Sequence, residues 1–435
     1  MINLPKYPTY KHSGEAWLGE IPEHWMAVSL VSLMELKSDK NHPDFEVLSV
    51  YREYGVIQKD SRDDNHNATS LDKTNYKAVA PGDLVVNKMK AWQGSMGVSS
   101  FKGIVSPAYI TCKITSKNIY SEYLHRLLRC NSYIGEYNRI SYGVRVGQWD
   151  MHYEDFKRVT VLVPPLPEQT AIATFLDRKT ALIDQAIGIK DKQIDLLKER
   201  RQILIHKAVT RGLNPDVKLK DSGVEWIGEI PEGWEVKKIK QLGKIINGYA
   251  FNSNEFKDEG VRVMKIANIQ TMKTDWSDES FIDEKYYYQL PQFRVNKNDL
   301  VFALTRPIIS TGIKATIIED DFKILLNQRN AVLKPLENLN KKWIYFIILD
   351  SLFVQSFERE IDITGQQPNI STNSIGNIKI PFPAIKEQNI ISEFIETITS
   401  KIATAISLKE QEIEKLKEYK ASLINSAVTG KIKVN

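Results

Sequence analysis

Residues Glu168 to Thr210 read EQTAIATFLDRKTALIDQAIGIKDKQIDLLKERRQILIHKAVT, and residues Glu387 to Thr429 read EQNIISEFIETITSKIATAISLKEQEIEKLKEYKASLINSAVT. The two stretches align without a gap, and 18 of their 43 positions are identical. Chance matching at ordinary composition would give about three identities. The chain therefore contains an internal repeat, and this repeated stretch decides its fold.

A second motif is also duplicated. The segment KHSGEAWLGEIPEHW at residues 11–25 recurs as KDSGVEWIGEIPEGW at residues 220–234, with ten of 15 positions identical. Residues 26–167 and 235–386 lie between the paired motifs and have similar lengths but different sequences. The 435 residues therefore run from a variable segment to a shared segment, and then through the same order once more.

The shared stretches have the apolar spacing of long amphipathic helices. Apolar residues recur every three, four or seven positions, which is the period of a helix with one buried stripe. Such a helix extends about 60 Å, and we expect its stripe to pack against its own duplicate. The residues predicted to form the helix pair or to bind a partner protein are Ile187, Ile194, Leu197, Leu204, Ile406, Ile413, Leu416 and Leu423.

The variable segments predict mixed α/β globules. Each contains short runs rich in β-branched residues, bounded by turn residues. The predicted strands cover residues 45–50, 82–86 and 159–163 in the first segment and 261–266, 299–303 and 378–380 in the second. Helical runs lie late in each segment, at 121–129 and 342–357. Each globule is expected to end in a strand, a proline-rich exit and the long helix.

Composition indicates an ordinary globular protein. Hydrophobic residues make up 42% of the chain and charged residues 26%, which excludes a wholly disordered, collagen-like or membrane-embedded chain. Cys112 and Cys130 are too few for a disulfide framework or a zinc cluster, and the first residues lack the plan of a signal peptide. We therefore expect a cytoplasmic protein without a membrane segment. With a net charge of only +5, binding to a polyanion must use local basic patches.

Sequence motifs for catalysis are missing. The chain has no GxxxxGK[ST] phosphate loop and no GxGxxG after a strand, so ATP hydrolysis and dinucleotide chemistry are unsupported. Val163 precedes the Pro-Pro pair at 164–165, where an amino-methyltransferase would carry Asp, Asn or Ser. The seven histidines are scattered singly, which favours packing or surface roles over metal binding. We therefore expect no catalytic residue and no metal ligand in this chain.

Two loops in the first variable segment, 87–94 and 142–148, and three in the second, 305–306, 327–330 and 364–369, contain cations, amides or aromatic side chains. Lys and Arg suit phosphates, whereas Gln, Asn and Arg can pair with base edges. The same residue types also populate ordinary surface loops, so both interpretations stay open for any single residue. The recurrence of such loops at matching places favours DNA binding. The candidate DNA-binding residues are Lys88, Lys90, Trp92, Gln93, Tyr142, Arg145, Gln148, Arg306, Gln328, Arg329, Gln366, Gln367 and Asn369.

The duplicated order resembles the specificity subunit of type I DNA restriction-modification enzymes. The resemblance is carried by the GEIPExW motifs at 19–25 and 228–234 and by the strand-exit motifs VPPLPEQ at 163–169 and IPFPAIKEQ at 380–388. The segment PGDLVVNKMKAWQ at 81–93, with VSPAY at 105–109, is similar to one variety of target recognition domain. The second exit motif departs from the first in having Lys386 where the first has Pro167, which weakens any claim that this proline is essential.

The resemblance implies an α/β (α+β) fold with two mixed α/β target recognition domains and a pseudo-two-fold internal repeat. The domains are separated by two long, antiparallel, coiled-coil-like helices. The expected limits are 1–165 for the first recognition domain, 166–213 for the first conserved helical region, 220–383 for the second recognition domain and 384–431 for the second helical region.

The resemblance also implies partners. Each recognition domain would read half of a bipartite, asymmetric site in double-stranded DNA. Two methyltransferase subunits and the restriction subunits would supply S-adenosylmethionine, ATP and magnesium, so this chain would bind no cofactor itself. Two other hypotheses stay open, namely a non-catalytic repeat adaptor that binds only proteins, and a stand-alone nuclease or methyltransferase with an unrecognised site.

Overall fold

The computed structural model describes residues 5–61, 69–143, 149–335 and 339–434. These residues form two compact units. Unit 1 contains the described residues up to Asp191 and those from Glu410 onward, whereas unit 2 contains Lys192–Lys409. The four sequence segments predicted above divide the chain differently, and their limits remain a prediction.

Two long helices occupy the repeated stretches, as the apolar spacing predicts. The first begins two residues before Glu168 and the second two residues before Glu387, and glycines with positive φ follow them at Gly212 (71°) and Gly430 (74°). Glycine adopts this left-handed conformation without strain, which suits the exit of a helix. The helices are α1 (Ser121–Leu128), α2 (Asn131–Ile140), α3 (Tyr153–Phe156), α4 (Leu166–Arg211), α5 (Lys285–Gln289), α6 (Lys341–Ile348), α7 (Ser351–Glu358), α8 (Thr372–Asn377) and α9 (Ile385–Val428).

Unit 1 has a central antiparallel sheet accompanied by two-stranded pairs. Its strands are β1 (Tyr10–His12), β2 (Glu20–Pro22), β3 (Met26–Ser29), β4 (Met34–Leu36), β5 (Leu48–Tyr51), β6 (Gly55–Gln58), β7 (Lys77–Val79), β8 (Asp83–Asn87), β9 (Met96–Val98), β10 (Gly103–Val105), β11 (Tyr109–Ile114) and β12 (Thr160–Val163). The central sheet has the order β4-β11-β8-β9, and the pairs are β1-β2, β3-β12, β5-β6 and β7-β10.

Strand β8 is buried on both faces of the central sheet. Leu84 and Val86 belong to the large core that also contains residues of α1, α2 and the long helices. Val85 belongs to a small core with Leu48 and Val50. Because both faces are covered, the strand is apolar without the alternation of a half-exposed strand.

The long helices run antiparallel within unit 1. Lys190 Nζ lies 2.5 Å from Glu412 Oε2, and Lys420 Nζ lies 2.7 Å from Asp184 Oδ1. From the first ion pair to the second, the residue number falls in α4, from 190 to 184, and rises in α9, from 412 to 420. The two helices therefore run in opposite directions. The eight predicted stripe residues in α4 and α9 are all buried or half-buried.

Unit 2 repeats this plan with its own strands. They are β13 (Leu219–Asp221), β14 (Glu229–Pro231), β15 (Glu235–Lys238), β16 (Gly243–Asn247), β17 (Phe256–Lys257), β18 (Val261–Met264), β19 (Phe281–Ile282), β20 (Arg294–Val295), β21 (Leu300–Ala303), β22 (Ile308–Ile309), β23 (Gly312–Ile313), β24 (Ala315–Ile317), β25 (Ile324–Leu326), β26 (Asn330–Pro335) and β27 (Lys379–Phe382). The central sheet has the order β16-β26-β21-β24, and β15 pairs with β27 as β3 pairs with β12. Strands β8 and β21 therefore hold equivalent places.

Unit 2 also contains a five-stranded sheet that the sequence did not predict. Its order is β17-β19-β18-β25-β20, and one of its pairings, β18 with β25, is parallel. Among the predicted strands, only 261–266 falls in this sheet, where it is observed as β18. The remaining strands are two or three residues long, too short for a period of two to stand out in a sequence.

The predicted helix at 342–357 is divided in the structure. Helix α6 ends at Ile348 and α7 begins at Ser351. Between them the Asp350 carboxylate accepts hydrogen bonds from the N–H groups of Leu352 and Phe353, both at 2.9 Å. Asp350 is thus the N-cap of a new helix, and the predicted helical run is observed as two helices separated by two residues.

In each unit, the GEIPExW motif contacts the first turn of the long helix formed by the repeated stretch. In unit 1 the indole N–H of Trp25 donates to Glu168 at 3.1 Å, and in unit 2 that of Trp234 donates to Glu387 at 2.9 Å. The duplicated GEIPExW motif therefore positions its tryptophan against the first turn of a long helix. This contact gives a structural reason for the pairing of the two motifs in the sequence.

The glutamine after each of these glutamates is a second junction. Gln169 and Gln388 are almost fully buried, at 0% and 1% exposure. Gln169 donates to the carbonyl of Pro164 and accepts from the N–H of Tyr120, at the start of α1. Gln388 makes the equivalent bonds with Pro383 and Asn340, at the start of α6. Each glutamine thereby fixes a long helix to a helix of the globule.

Candidate nucleic-acid interface

Three loops meet in unit 1 at the end of β8. The first loop, residues 88–94, leaves this strand directly. The third loop touches it through the Met151 N–H, which donates to the Lys88 carbonyl at 3.0 Å, and through an ion pair of 3.1 Å between Lys88 and Asp150. Trp92 and Trp149 form an edge-to-face pair with ring centroids 5.2 Å apart. The structure therefore brings together two loops that lie about fifty residues apart in the sequence.

The first loop has a defined conformation. Residues Ala91–Gln93 form a single 3-10 turn that ends at Gly94, where φ is 87°. A Cβ atom at Gly94 would lie 2.8 Å from Ile134 Cδ1, so the site requires glycine for both conformation and space. Lys90 is exposed, whereas the side chains of Trp92 and Gln93 are half-buried.

A cleft of about 760 Å³ lies among these loops. Its lining includes the predicted residues Lys90, Trp92 and Gln93 and also several side chains that sequence reasoning missed. The missed residues in or beside the three loops are Asn87, Met89, Ser106, Ala108, Tyr109, Trp149 and Asp150, and the cleft is also lined by Val47, Leu48, Ser49, Lys59, Thr69 and Tyr76. Ser106, Ala108 and Tyr109 belong to a turn between β10 and β11, which is the second of the three loops.

The third loop contains the remaining predicted residues of unit 1. Tyr142 is 58% exposed and stacks on His152, with ring centroids 4.8 Å apart and an angle of 18° between the planes. Tyr142 and Asp150 exchange backbone hydrogen bonds and so close the loop. Arg145 and Gln148 lie outside the described residues.

Unit 2 has three loops in the same arrangement. The first follows β21 and contains Arg306, the second is the turn 327–330, and the third is closed by backbone hydrogen bonds between Asp362 and Asn369. The Ile370 N–H donates to the Leu304 carbonyl at 2.8 Å, which matches the bond between Met151 and Lys88 in unit 1. The two globules therefore present the same framework with different side chains.

These loops of unit 2 surround a smaller cleft, of about 540 Å³. Its lining contains the predicted residues Gln328, Arg329, Gln366, Gln367 and Asn369. The other described lining residues are Asn247, Leu304, Thr305 and residues 370–372. None of the described lining residues is acidic. A surface of carboxamides and one guanidinium offers hydrogen bonds to base edges and a cation to phosphate.

Arg306 lies beside this cleft in a strained conformation. Its φ is 47°, in the left-handed region that a residue other than glycine adopts at a cost. Its backbone N–H donates to the Pro368 carbonyl at 2.8 Å, and its side chain is exposed. The third loop thus fixes the backbone from which the guanidinium extends.

A buried aspartate lies at the start of the strand that leads to each cleft, as the first residue of β8 in unit 1 and directly before β21 in unit 2. Asp83 is 4% exposed and accepts from Lys37 Nζ at 2.6 Å and from the Ala80 N–H at 2.8 Å. Asp299 is also 4% exposed, pairs with Lys334 and accepts from the Asn296 N–H at 2.8 Å. The shared signal in the sequence is Asp-Leu-Val after a residue with positive φ, Gly82 or Asn298. These aspartates position the strands and were not among the predicted residues.

Two titratable groups inside unit 1 have strongly shifted pKa values. Burial raises the pKa of the Cys112 thiol to about 12, so the thiol stays protonated near neutral pH. Burial and the neighbouring guanidinium groups lower the pKa of His125 to about 3. Within the described parts of the chain, no group of three or more His, Cys, Asp and Glu side chains is placed to hold a metal ion.

The surface of α4 carries exposed apolar residues outside the predicted stripe. Leu182 and Ile189 in unit 1 are 54% and 50% exposed, and Leu196 and Ile203 in unit 2 are 63% and 47% exposed. They are spaced seven residues apart, which places them along one side of a helix. None of the described helices is both long and apolar enough to cross a membrane.

Comparison with known proteins agrees with this arrangement. Residues 22–197 and 231–418 match the sequence profile of the family described as type I restriction modification DNA specificity domain. The chain is 31% identical over 368 residues to the type I restriction enzyme MjaVIII specificity subunit of Methanocaldococcus jannaschii, an alignment that covers 82% of this chain and 83% of that protein.

Solved structures share the fold at low sequence identity. A chain from a structural study of complex assembly and conformational transition of the type I R-M system has a TM-score of 0.69 at 14% identity, covering 94% of this chain and 98% of that one. The HsdS subunit from Thermoanaerobacter tengcongensis has a TM-score of 0.56 at 14% identity, covering 95% and 98%. Since the family profile matches in both repeats and the relative from Methanocaldococcus jannaschii aligns along most of its length, the chain belongs to the family of type I restriction-modification specificity subunits.

Proposed function

We propose that this chain is a DNA-binding specificity subunit that reads a bipartite, asymmetric site in double-stranded DNA. Each unit reads one half-site through its three loops, and the chain directs partner methyltransferase and restriction subunits to that site. The observation that carries this proposal is the duplicated loop framework with different side chains in the two units. Equivalent frameworks suit equivalent positions on DNA, whereas different side chains suit different bases.

The chemistry of methylation and cleavage belongs, in this proposal, to the partner subunits. S-adenosylmethionine, ATP and magnesium bind to those partners, and two methyltransferase subunits join one copy of this chain in the cytoplasm. The exposed apolar residues Leu182, Ile189, Leu196 and Ile203 support a protein contact on α4, because apolar rows on a helix are costly to leave in water. The predicted stripe residues of α4 and α9 contribute to the helix pair on which the partners dock.

The test is DNA binding by the chain reconstituted with its methyltransferase subunit. Duplex DNA carrying the bipartite site is compared with duplexes in which one half-site is scrambled, in an electrophoretic shift assay at several salt concentrations. We expect both half-sites to be needed and the affinity to fall as salt rises, because phosphate contacts release counterions. Equal binding to all duplexes would contradict the proposal and favour an adaptor that binds only proteins. Nuclease or methyltransferase activity of the purified chain alone would favour a stand-alone enzyme.

A further inference from the structure

A turn at the end of the central sheet holds the same place in both units. In unit 1, Tyr109 lies opposite Asn87 at the end of the β8-β11 pair. In unit 2, Asn330 lies opposite Ala303 at the end of the β21-β26 pair. Each turn is closed by a backbone hydrogen bond of 3.0 Å, from Tyr109 to Ser106 and from Asn330 to Asn327. The central residues of the two turns, Pro107-Ala108 and Gln328-Arg329, are therefore equivalent.

The two turns differ in chemistry. Gln328 and Arg329 are exposed and can exchange hydrogen bonds with base edges. Pro107 is also exposed and Ala108 is half-buried, but their side chains present only C–H groups, and proline lacks a backbone N–H. The two central side chains of the unit 1 turn can therefore read a base only by apolar contact or by shape. In the major groove, the one apolar group on a base edge is the C5 methyl of thymine.

Hydrogen bonds hold the turn of unit 1, which borders the cleft. The Ala108 N–H donates to Ser106 Oγ at 3.4 Å, and Lys77 Nζ donates to the Tyr109 carbonyl at 2.5 Å. Ala108 lines the same cleft as Lys90 and Trp92. A preformed turn meets a base without the entropic cost of ordering a loop.

We propose that Pro107 and Ala108 form the thymine-reading element of unit 1 and contact the C5 methyl of one thymine in its half-site. The proposal rests on the proposed function, because it requires that unit 1 faces DNA. It adds Pro107 to the candidate site and gives Ala108, which lines the cleft, a role in reading a base. It also explains why equivalent turns in one chain have opposite polarity.

The experiment replaces thymines by deoxyuridine, which lacks only the methyl group. The chain is used in complex with its methyltransferase subunit, on a site mapped by methylation. Each thymine on either strand of both half-sites is substituted in turn, and the dissociation constant is measured. We expect one deoxyuridine in the half-site of unit 1 to weaken binding about fourfold, the effect of one buried methyl group.

Variants assign that effect to the turn. In the Ala108→Gly variant, replacing this thymine by deoxyuridine should weaken binding by less than about twofold. In the Pro107→Gln/Ala108→Arg variant, the preference for an A·T pair at this position should itself change. The matched control is Gln328→Ala/Arg329→Ala in the equivalent turn of unit 2. It should alter the other half-site and leave the fourfold effect intact. Unchanged recognition of the second half-site by the unit 1 variants shows that they are folded.

The outcomes separate the two proposals. If the native complex shows no preference for any bipartite site, both fail. If the preference holds, the inference about the turn is overturned by any of three results. The first is that the half-site read by unit 1 contains no A·T pair. The second is that DNA with deoxyuridine binds as tightly as DNA with thymine at every position of that half-site. The third is that the deoxyuridine effect has the same size in the native complex and in both unit 1 variants.

Discussion

Glu168 and Glu387 hold the same place in the two repeats but accept different numbers of hydrogen bonds. Glu387 accepts from the indole of Trp234. Glu168 accepts from Trp25 and also from the Tyr7 hydroxyl at 2.5 Å, and it lies 2.8 Å from His24 Nε2. Burial and the adjacent Glu168 raise the pKa of Tyr7 well above its ordinary value, so the hydroxyl stays a donor. The contact between tryptophan and glutamate, present in both units, is therefore part of a larger hydrogen-bond network in unit 1.

This difference predicts unequal costs for the same substitution. Glu168→Gln should lower the free energy of unfolding by about 2 kcal/mol and Glu387→Gln by about 1 kcal/mol, because hydrogen bonds to a charged acceptor are lost in greater number at the first site. Urea unfolding of the two variants and the native chain measures both values. A loss at Glu387 equal to or larger than that at Glu168 would show that the extra donors contribute nothing.

His125 predicts a pH dependence for the stability of unit 1. Its ring lies against Gly55 and Gly97, and its Nδ1 accepts from the Val98 N–H at 3.2 Å. The pKa falls from 6.5 to about 3 on folding because of burial and the charges of Arg129 and Arg126. Below pH 6.5 the unfolded chain therefore binds a proton that the folded chain excludes, and stability falls as the pH is lowered.

The His125→Gln variant isolates this contribution. Between pH 7 and pH 5 the native chain should lose about 2 kcal/mol more of its free energy of unfolding than the variant does. Urea unfolding at both pH values gives the comparison, and carboxylates common to both proteins cancel. Equal losses would mean that His125 titrates normally in the folded state.

At the scale of elements, the repeats cap equivalent helices in different ways. In unit 2 Asp350 caps α7 from within the globule, and His206 of α4 lies 2.9 Å from its carboxylate. In unit 1 the cap of α2 comes from the long helix itself, since Asn425 accepts from the Ser132 N–H at 3.0 Å and from its hydroxyl at 2.9 Å. His206 and Asn425 occupy matching positions of the repeated stretch.

The cap on α2 predicts a graded effect at Asn425. Asn425→Ala should destabilise the chain by about 1 kcal/mol, because the Ser132 N–H loses its acceptor. Asn425→Asp should be close to native, since a carboxylate accepts the same bonds and its charge is favourable at a helix N-terminus. The control is Ser422→Ala on the exposed face of α9. Thermal unfolding measures the stability of the three variants. Equal stability of the alanine and aspartate variants would contradict this role for Asn425.

The sequence predicts those helices and strands whose apolar pattern is continuous along the chain and extends over many residues. The spacing in α4 and α9 persists over some forty residues, and β8 and β21 are apolar runs bounded by turns. The break at Asp350 was missed because the apolar spacing continues through it, and the cap depends on one side chain. The five-stranded sheet of unit 2 was missed because its short strands are specified by contacts between distant segments.

The candidate site was predicted in part for the same reason. The loop after β8 stands out because cations, amides and an aromatic residue are adjacent in the sequence. Asn87 and Tyr109 lie in the motifs at 81–93 and 105–109 but were not predicted as site residues, and Trp149 was missed as well, because only the folding of the sheet brings these side chains to one cleft. Whether the loops contact DNA remains a prediction at every one of these residues.

At the scale of the whole molecule, the duplication gives each unit a cleft of its own. A chain with a net charge of only +5 places its DNA-reading groups, in the proposed function, in two small clefts and keeps the rest of its surface for proteins. Each cleft has its own residues from its own unit. The two half-sites should therefore be separable by mutation.

Methylation mapping with two pairs of substitutions tests this separation. The methylated sites of the complete enzyme are determined for the native chain, for Lys90→Ala/Gln93→Ala in unit 1 and for Gln328→Ala/Arg329→Ala in unit 2. We expect each pair to relax or change one half of the methylated sequence, a different half for each pair, and to leave the other half unchanged. Changes in the same half for both pairs, or a native methylation pattern in both variants, would contradict the assignment of one half-site to each unit.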